Sequence, residues 1–156
     1  IIPQGIVVGD EFFKDDRSLS NKEILAKVDA TIKNKQYVGT TCPSVSDYFE
    51  MFKKYRDSDI ISLEMSSKIS SGNETALNAA KDMLKKDNIY HFDTLTGGIG
   101  GTIIDDYANK LVKEGKTVPE IITELNKIRS LLFTTYYVEN PLAYIRSKKY
   151  AIDVKK

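Results

Sequence analysis

The sequence predicts an α/β fold, a largely parallel sheet with helices on both faces, and three observations predict it. Short apolar runs of strand length alternate with stretches whose apolar residues recur at helical spacing. Two strand–turn–helix units follow one another, the first starting at Ile60–Met65 and the second at Ile89–Asp93. Two capping boxes, Ser20 with Glu23 and Thr117 with Glu120, mark helix starts by their chemistry as well as their place.

Taken in order, Ile2 to Val8 reads as a strand, with Pro3 setting it at an edge or at its own start. Gly9-Asp10 reads as a turn from which Glu11-Phe12-Phe13 pairs back as a short hairpin. The helix opened by Ser20 carries Ile24, Leu25, Val28 and Ile32 on one face. Tyr37 to Ser44 reads as a hydroxyl-rich connection, in which Pro43 biases Cys42 to an extended backbone. A helix start at Ser44 to Asp47 then leads into Val45, Tyr48, Phe49, Phe52 and Tyr55, an aromatic stripe of the kind that packs into a core.

The central stretch runs from Asp59 to Ala80. Ile60, Ile61, Leu63 and Met65 form a buried strand, and Ser66, Ser67, Ser70 and Ser71 crowd the turn after it. Ala76, Leu77, Ala80, Met83 and Leu84 follow at helical spacing. A helix start presents unpaired N–H groups and the positive end of the dipole, so serines here make a seat for a small anion or simply cap the helix. After the strand Ile89–Asp93 comes the glycine-rich run Thr94 to Gly101, then a helix with Ile103, Ile104, Tyr107, Ala108, Leu111 and Val112 facing inward. The helix opened by Thr117 carries Ile121, Ile122, Leu125, Ile128 and Leu132. Phe133 to Val138 is β-rich, and Asn140-Pro141 begins a last short helix.

The 156 residues, 41% hydrophobic and 29% charged, suit one soluble globular lobe. A net charge of +1 with lysines scattered among acids argues against a nucleic-acid partner. No apolar run reaches membrane-spanning length and no secretory pattern is present, which points to the cytoplasm without stable membrane insertion. One cysteine, Cys42, excludes an internal disulfide and a multi-cysteine metal site. The opening Ile1-Ile2-Pro3 lacks a Met and reads as a strand already in progress, so residues are expected upstream.

In open α/β sheets, ligands collect beyond the carboxyl ends of strands. Three loops carry polar groups in such a place: Thr40-Thr41, Ser66-Ser67 with Ser70-Ser71, and Thr94 to Gly101. None offers an evident catalytic acid or base. The glycine run fits neither G-x-G-x-x-G nor the G-x-x-x-x-G-K-[ST] phosphate loop. His91, the single histidine, lies between Tyr90 and Phe92 in a strand, and no G-x-S-x-G turn exists to pair with it. No catalytic residue, metal ligand or cofactor is assigned. The glycine run either lets backbone approach a ligand, as in a small α/β enzyme or a phosphate- or nucleotide-binding protein using the Gly97–Gly101 helix start, or packs a helix tightly on the sheet.

Taken together, these residues resemble the DegV family of bacterial fatty-acid-binding proteins. Thr40-Thr41-Cys42-Pro43-Ser44 is similar to the family's T-S-Q-P-S, and Ser66-Ser67-Lys68-Ile69-Ser70 to its S-S-K-L-S. His91-Phe92-Asp93-Thr94 is similar to its V-x-D-S segment, and Tyr136 through Lys148 to the segment that ends its first lobe. The resemblance implies that residues 1–156 form a single α/β lobe of the DegV N-terminal type, without its opening strand and second lobe. It implies a carrier, not an enzyme: one long-chain fatty acid lies in an apolar tunnel, its carboxylate held by Thr40, Thr41, Ser66 and Ser67. A separate fatty acid kinase then phosphorylates that carboxylate to an acyl-phosphate. Cys42 in place of Gln, and Ser71-Gly72-Asn73 in place of Gly-Thr-Tyr, depart from the pattern.

Overall fold

The computed structural model describes residues 1–135 and residue 137. The chain divides into two compact units. The first comprises Ile1–Lys54 and Thr75–Lys85, and the second Tyr55–Glu74 and the described residues from Lys86 on.

The first unit is built on an antiparallel sheet. Strands β1 (Gly5–Val8) and β2 (Glu11–Lys14) form a hairpin, with Val8 opposite Glu11. Its two-residue connection is possible because Gly9 adopts φ +62°, a left-handed backbone that a side chain would strain. The chain then crosses through helix α1 (Asn21–Lys33) to β3 (Val38–Thr41), which pairs antiparallel with the other edge of β1. The strand order is therefore β2-β1-β3. Largely parallel is thus corrected for this unit: a two-residue turn can only reverse the chain, and β3 returns along the far edge of β1. The Thr40-Thr41 stretch read as a connection is the end of a strand.

Helix α1 starts as its sequence requires. The Ser20 hydroxyl accepts from the Glu23 amide, and the Glu23 carboxylate accepts from the Ser20 amide at 2.8 Å. Its predicted apolar face holds in part, with Ile24 and Val28 half-buried on it. Thr31 is buried, while Leu25 and Ile32 are 61% and 59% exposed. Helix α2 (Val45–Lys54) opens with Ser44 and Asp47 in the same reciprocal arrangement, and Lys14 of β2 pairs with the Asp47 carboxylate. Tyr48 and Phe52 are buried with ring centroids 5.8 Å apart, so that stretch of the aromatic stripe is core. Helix α3 (Ser71–Leu84) gives this unit the buried Ala76, Leu77 and Ala80, whereas Met83 is exposed.

The second unit holds the parallel pairing that the sequence predicts. Strands β4 (Ile60–Glu64) and β5 (Ile89–Asp93) align residue for residue, from Ile60 beside Ile89 to Glu64 beside Asp93. Helix α4 (Ile99–Lys113) ends in a Schellman motif, with Gly115 at φ +74° and the Lys116 amide reaching back to the Leu111 carbonyl at 3.1 Å. Helix α5 (Val118–Leu131) starts at the Thr117–Glu120 box. Phe92, Ile104, Ala108, Leu111, Ile121 and Leu125 pack as one buried cluster, flanked by Ile61, Leu63, Tyr107, Ile122, Ile128 and Leu132. Full burial of each large aliphatic side chain stabilises the unit by about 1.5–3 kcal/mol. Ile103 and Val112, predicted to face inward, are exposed, because the core-facing stripe of α4 is the narrower Ile104–Ala108–Leu111 set. Residues 133–135 form no strand; the rest of the predicted β-rich run, the last helix, and the tail segment lie outside the described residues, except Tyr137.

Candidate functional site

Strands β4 and β5 stop side by side at Glu64 and Asp93, and the two loops that leave them are laced together. The Thr94 amide and hydroxyl both donate to the Glu64 carbonyl, at 3.0 and 2.8 Å. The Ser66 amide donates to the Thr96 carbonyl at 2.8 Å. Within the serine turn, the amides of Ile69 and Ser70 both donate to the Ser66 carbonyl, which winds the chain towards α3. These bonds satisfy backbone groups that burial would otherwise leave without water. Ser66, Thr94 and Thr96 are all buried.

Asp93 is the centre of this lacing. One carboxylate oxygen accepts from the Ser67 amide at 3.2 Å and the Leu95 amide at 3.0 Å, and the other accepts the Ser67 hydroxyl at 2.5 Å. Burial pushes its pKa up, but the hydrogen bonds from Ser67 and Leu95 and the nearby His91 outweigh that and hold it below the ordinary carboxylate range. Arg129 of α5 locks the strand end behind it. Its Nη1 donates to the Asp93 carbonyl at 2.7 Å, its Nη2 to Asn126 at 2.7 Å, and the guanidinium lies 4.8 Å from the centre of the Phe92 ring. Leu95 sits in the left-handed region at φ +52°, its amide fixed on Asp93.

The glycine run divides by role. Gly98, at φ +58°, is the N-cap of α4 and makes no side-chain capping bond. A Cβ on Gly100 would run into the Thr96 hydroxyl and come within 2.8 Å of the Thr134 hydroxyl; those two hydroxyls are themselves 2.6 Å apart. Close packing at the helix start therefore accounts for Gly100. A surface groove of about 450 Å³ lies at the other end of α4, where Leu111, Lys116 and Pro119 meet Glu114, Glu120 and Glu124. Its charged lining does not suit an acyl chain.

The residues predicted to hold a carboxylate are divided between the units. Thr40 and Thr41 are exposed at the end of β3, opposite Ile6 and Gly5. Gly5 is glycine because a Cβ there would meet the Thr41 hydroxyl and the Phe12 ring. Ser66 and Ser67 stand together in the second unit, on Thr96 and Asp93 respectively. Asp93 and Thr96, the partners of the serines, and Arg129, which holds the Asp93 carbonyl, were not assigned a role from sequence. The signals for Asp93 were an acid ending a strand next to a hydroxyl-rich loop and its place in the segment similar to V-x-D-S. Among the described residues, no group of acids, histidine or cysteine could hold a metal ion, and no helix is long and apolar enough to cross a membrane.

The family model described as "uncharacterised protein, DegV family" matches residues 1–147. A DegV domain-containing protein of Streptococcus gordonii is 27% identical over 146 residues, covering 89% of this chain and 50% of that protein. The crystal structure of DegV from Bacillus subtilis, named as a fatty acid binding protein, aligns with a TM-score of 0.70 at 25% identity, over 83% of this chain and 45% of its own. The fatty acid kinase B3 protein of Streptococcus pneumoniae, solved with linoleic acid, shares the fold with a TM-score of 0.68 at 22% identity, over 83% and 45%. The chain thus spans about half the length of the relatives it matches. On a family match that runs through nearly all of its residues, the chain belongs to the DegV family.

Proposed function

We propose that this chain is one lobe of a carrier that binds a long-chain fatty acid and presents it to a partner fatty acid kinase, which converts the carboxylate to an acyl-phosphate. Family membership carries the reading, since the B. subtilis relative is named for fatty acid binding and the S. pneumoniae relative held linoleic acid. That second relative's name, fatty acid kinase B3 protein, supports the kinase partner. Thr40, Thr41, Ser66 and Ser67 are the hydroxyls assigned to the carboxylate. Burying the alkyl chain stabilises the complex by about 0.8 kcal/mol per CH₂. The carboxylate must then be hydrogen-bonded, because leaving it dry and unpaired costs far more. The carrier itself makes and breaks no bonds, and it works in the bacterial cytoplasm without nucleic acid or membrane insertion.

The full-length protein, purified gently and extracted into organic solvent, should yield near-stoichiometric C16 to C18 fatty acid by mass spectrometry. A blank that persists after incubation with oleate and palmitate overturns the reading. A second reading, a phosphate or nucleotide at the Gly97–Gly101 helix start, is favoured by one observation: α4 begins without a side-chain cap. It predicts instead a thermal shift with phosphorylated metabolites that Ser67→Ala leaves unchanged.

A further inference from the structure

Three helices of this chain start on one plan. The hydroxyl residue before each helix donates its backbone amide to the acid three residues on: Ser20 to Glu23 at 2.8 Å, Ser44 to Asp47 at 2.9 Å and Thr117 to Glu120 at 2.8 Å. Helix α3 has the same spacing, with Ser70 before it and Asn73 third in it. Its hydrogen bonds run elsewhere. The Ser70 amide donates to the Ser66 carbonyl at 3.0 Å, inside the preceding turn. The Asn73 side-chain oxygen is thereby denied the partner that its place in the helix offers. It finds no other among the described residues, although Asn73 is only 4% exposed.

Buried amide oxygens are almost always paired, because burial strips away the water that would otherwise serve them. Asn73 Oδ1 accepts and cannot donate, so whatever completes it must carry an O–H or N–H group. Side chains of a helix lean back towards its N-terminus, which inclines Asn73 towards the serine turn. An unsubstituted fatty acid has no donor to offer there, since its carboxylate only accepts and its chain does neither. Asn73 is also a departure within the resemblance, because the pattern has Tyr at this place.

We infer that Asn73 is a specificity-determining residue: its amide oxygen takes the hydroxyl of an acyl chain hydroxylated close to the carboxylate. The inference rests on the fatty-acid reading and names the substrate class within it. Asn73 stands in the first turn of α3, directly after the loop whose hydroxyls are assigned to the carboxylate. The hydroxyl therefore belongs on the second or third carbon of the acid and not at the far end of its chain.

The test measures binding of palmitate and of its 2-hydroxy, 3-hydroxy and 16-hydroxy forms to the full-length protein, by displacement of a fluorescent fatty acid. The 2-hydroxy or the 3-hydroxy acid should bind about tenfold more tightly than palmitate, and the 16-hydroxy acid should not. In Asn73→Leu, similar in size but without an acceptor, that preference should shrink to within about twofold. Asn73→Ala serves the same comparison if the first variant does not fold. Removing an unpaired acceptor has a second signature: without ligand, Asn73→Leu should melt at or above the temperature of the unaltered protein. Equal binding of all four acids, as when a water completes the amide, overturns the role of Asn73 and leaves the carrier reading standing. So does a preference for the 16-hydroxy acid alone, a preference that survives substitution, or a lowered melting temperature in Asn73→Leu. No binding of any of the four acids overturns the carrier reading, and the role of Asn73 with it.

Discussion

Two glycines lie beneath threonine hydroxyls, one in each unit, and they are not under the same constraint. Gly5 in β1 faces Thr41 and the ring of Phe12, which is 61% exposed and free to swing away. Gly100 in α4 faces Thr96, which is buried and tied to Thr134. The same missing Cβ therefore makes room for an exposed threonine and ring in one unit and for a closed hydroxyl network in the other. The contrast extends to the units. The first joins a ladder of antiparallel strands and a core of Tyr48, Phe52, Leu77 and Ala80 to charged links between its elements, such as Lys14 with Asp47 and Lys27 with Glu11. The second relies on a buried apolar cluster and on hydroxyls already engaged with one another.

That contrast can be tested by substitution. The largest effect is expected at the second unit's core: Leu125→Ala should destabilise by about 2–5 kcal/mol in denaturant unfolding, since Leu125 is wholly buried in the cluster. Gly100→Ala should cost about 1–3 kcal/mol, because Thr96 has nowhere to move. Gly5→Ala should cost less than Gly100→Ala by the same measurement, and an equal or greater cost would erase the distinction. The smallest is Lys27→Ala, with an effect below about 1 kcal/mol, as expected of an exposed ion pair.

Acid sharpens the comparison by another route. Hydrogen bonds from Lys14 and then from Ser44 hold Asp47 down from the ordinary 3.8 to about 2. A carboxyl whose pKa is lower when folded stabilises the protein fully above its unfolded value. That contribution is lost as pH falls from about 4 towards about 2. Thermal melts of the protein and of Asp47→Asn should therefore differ near neutrality and converge across that window. Melts that stay equally far apart down to the lower limit would show that Asp47 stabilises by shape and not by charge.

What the sequence made legible was what is local. The Ser20–Glu23 and Thr117–Glu120 boxes span three residues each, and both helices begin where they stand. The parallel pair β4–β5 could be read because each strand was short, apolar and followed by a helix. Sheet order in the first unit could not, because β3 carries Gly39, Thr40 and Thr41 and looks like a loop until β1 pairs with it. The inward face of α1 was legible in part: of Ile24, Leu25, Val28 and Ile32, the first and third are half-buried, Leu25 and Ile32 are exposed, and Thr31 is buried on the same side. At the candidate site the serines were visible as a cluster. Their anchor was not, since Asp93 lies 26 residues from Ser67, and Arg129 36 residues from Asp93.

Leu95 is a point at which the chain can be strengthened. Its left-handed backbone costs an L-residue roughly 1–2 kcal/mol, and its side chain is half exposed. Glycine or asparagine would relieve that penalty without touching the amide that Asp93 receives. Leu95→Gly or Leu95→Asn is thus a route to a hardier protein whose serine turn stays as it is, and thermal denaturation would rank the two.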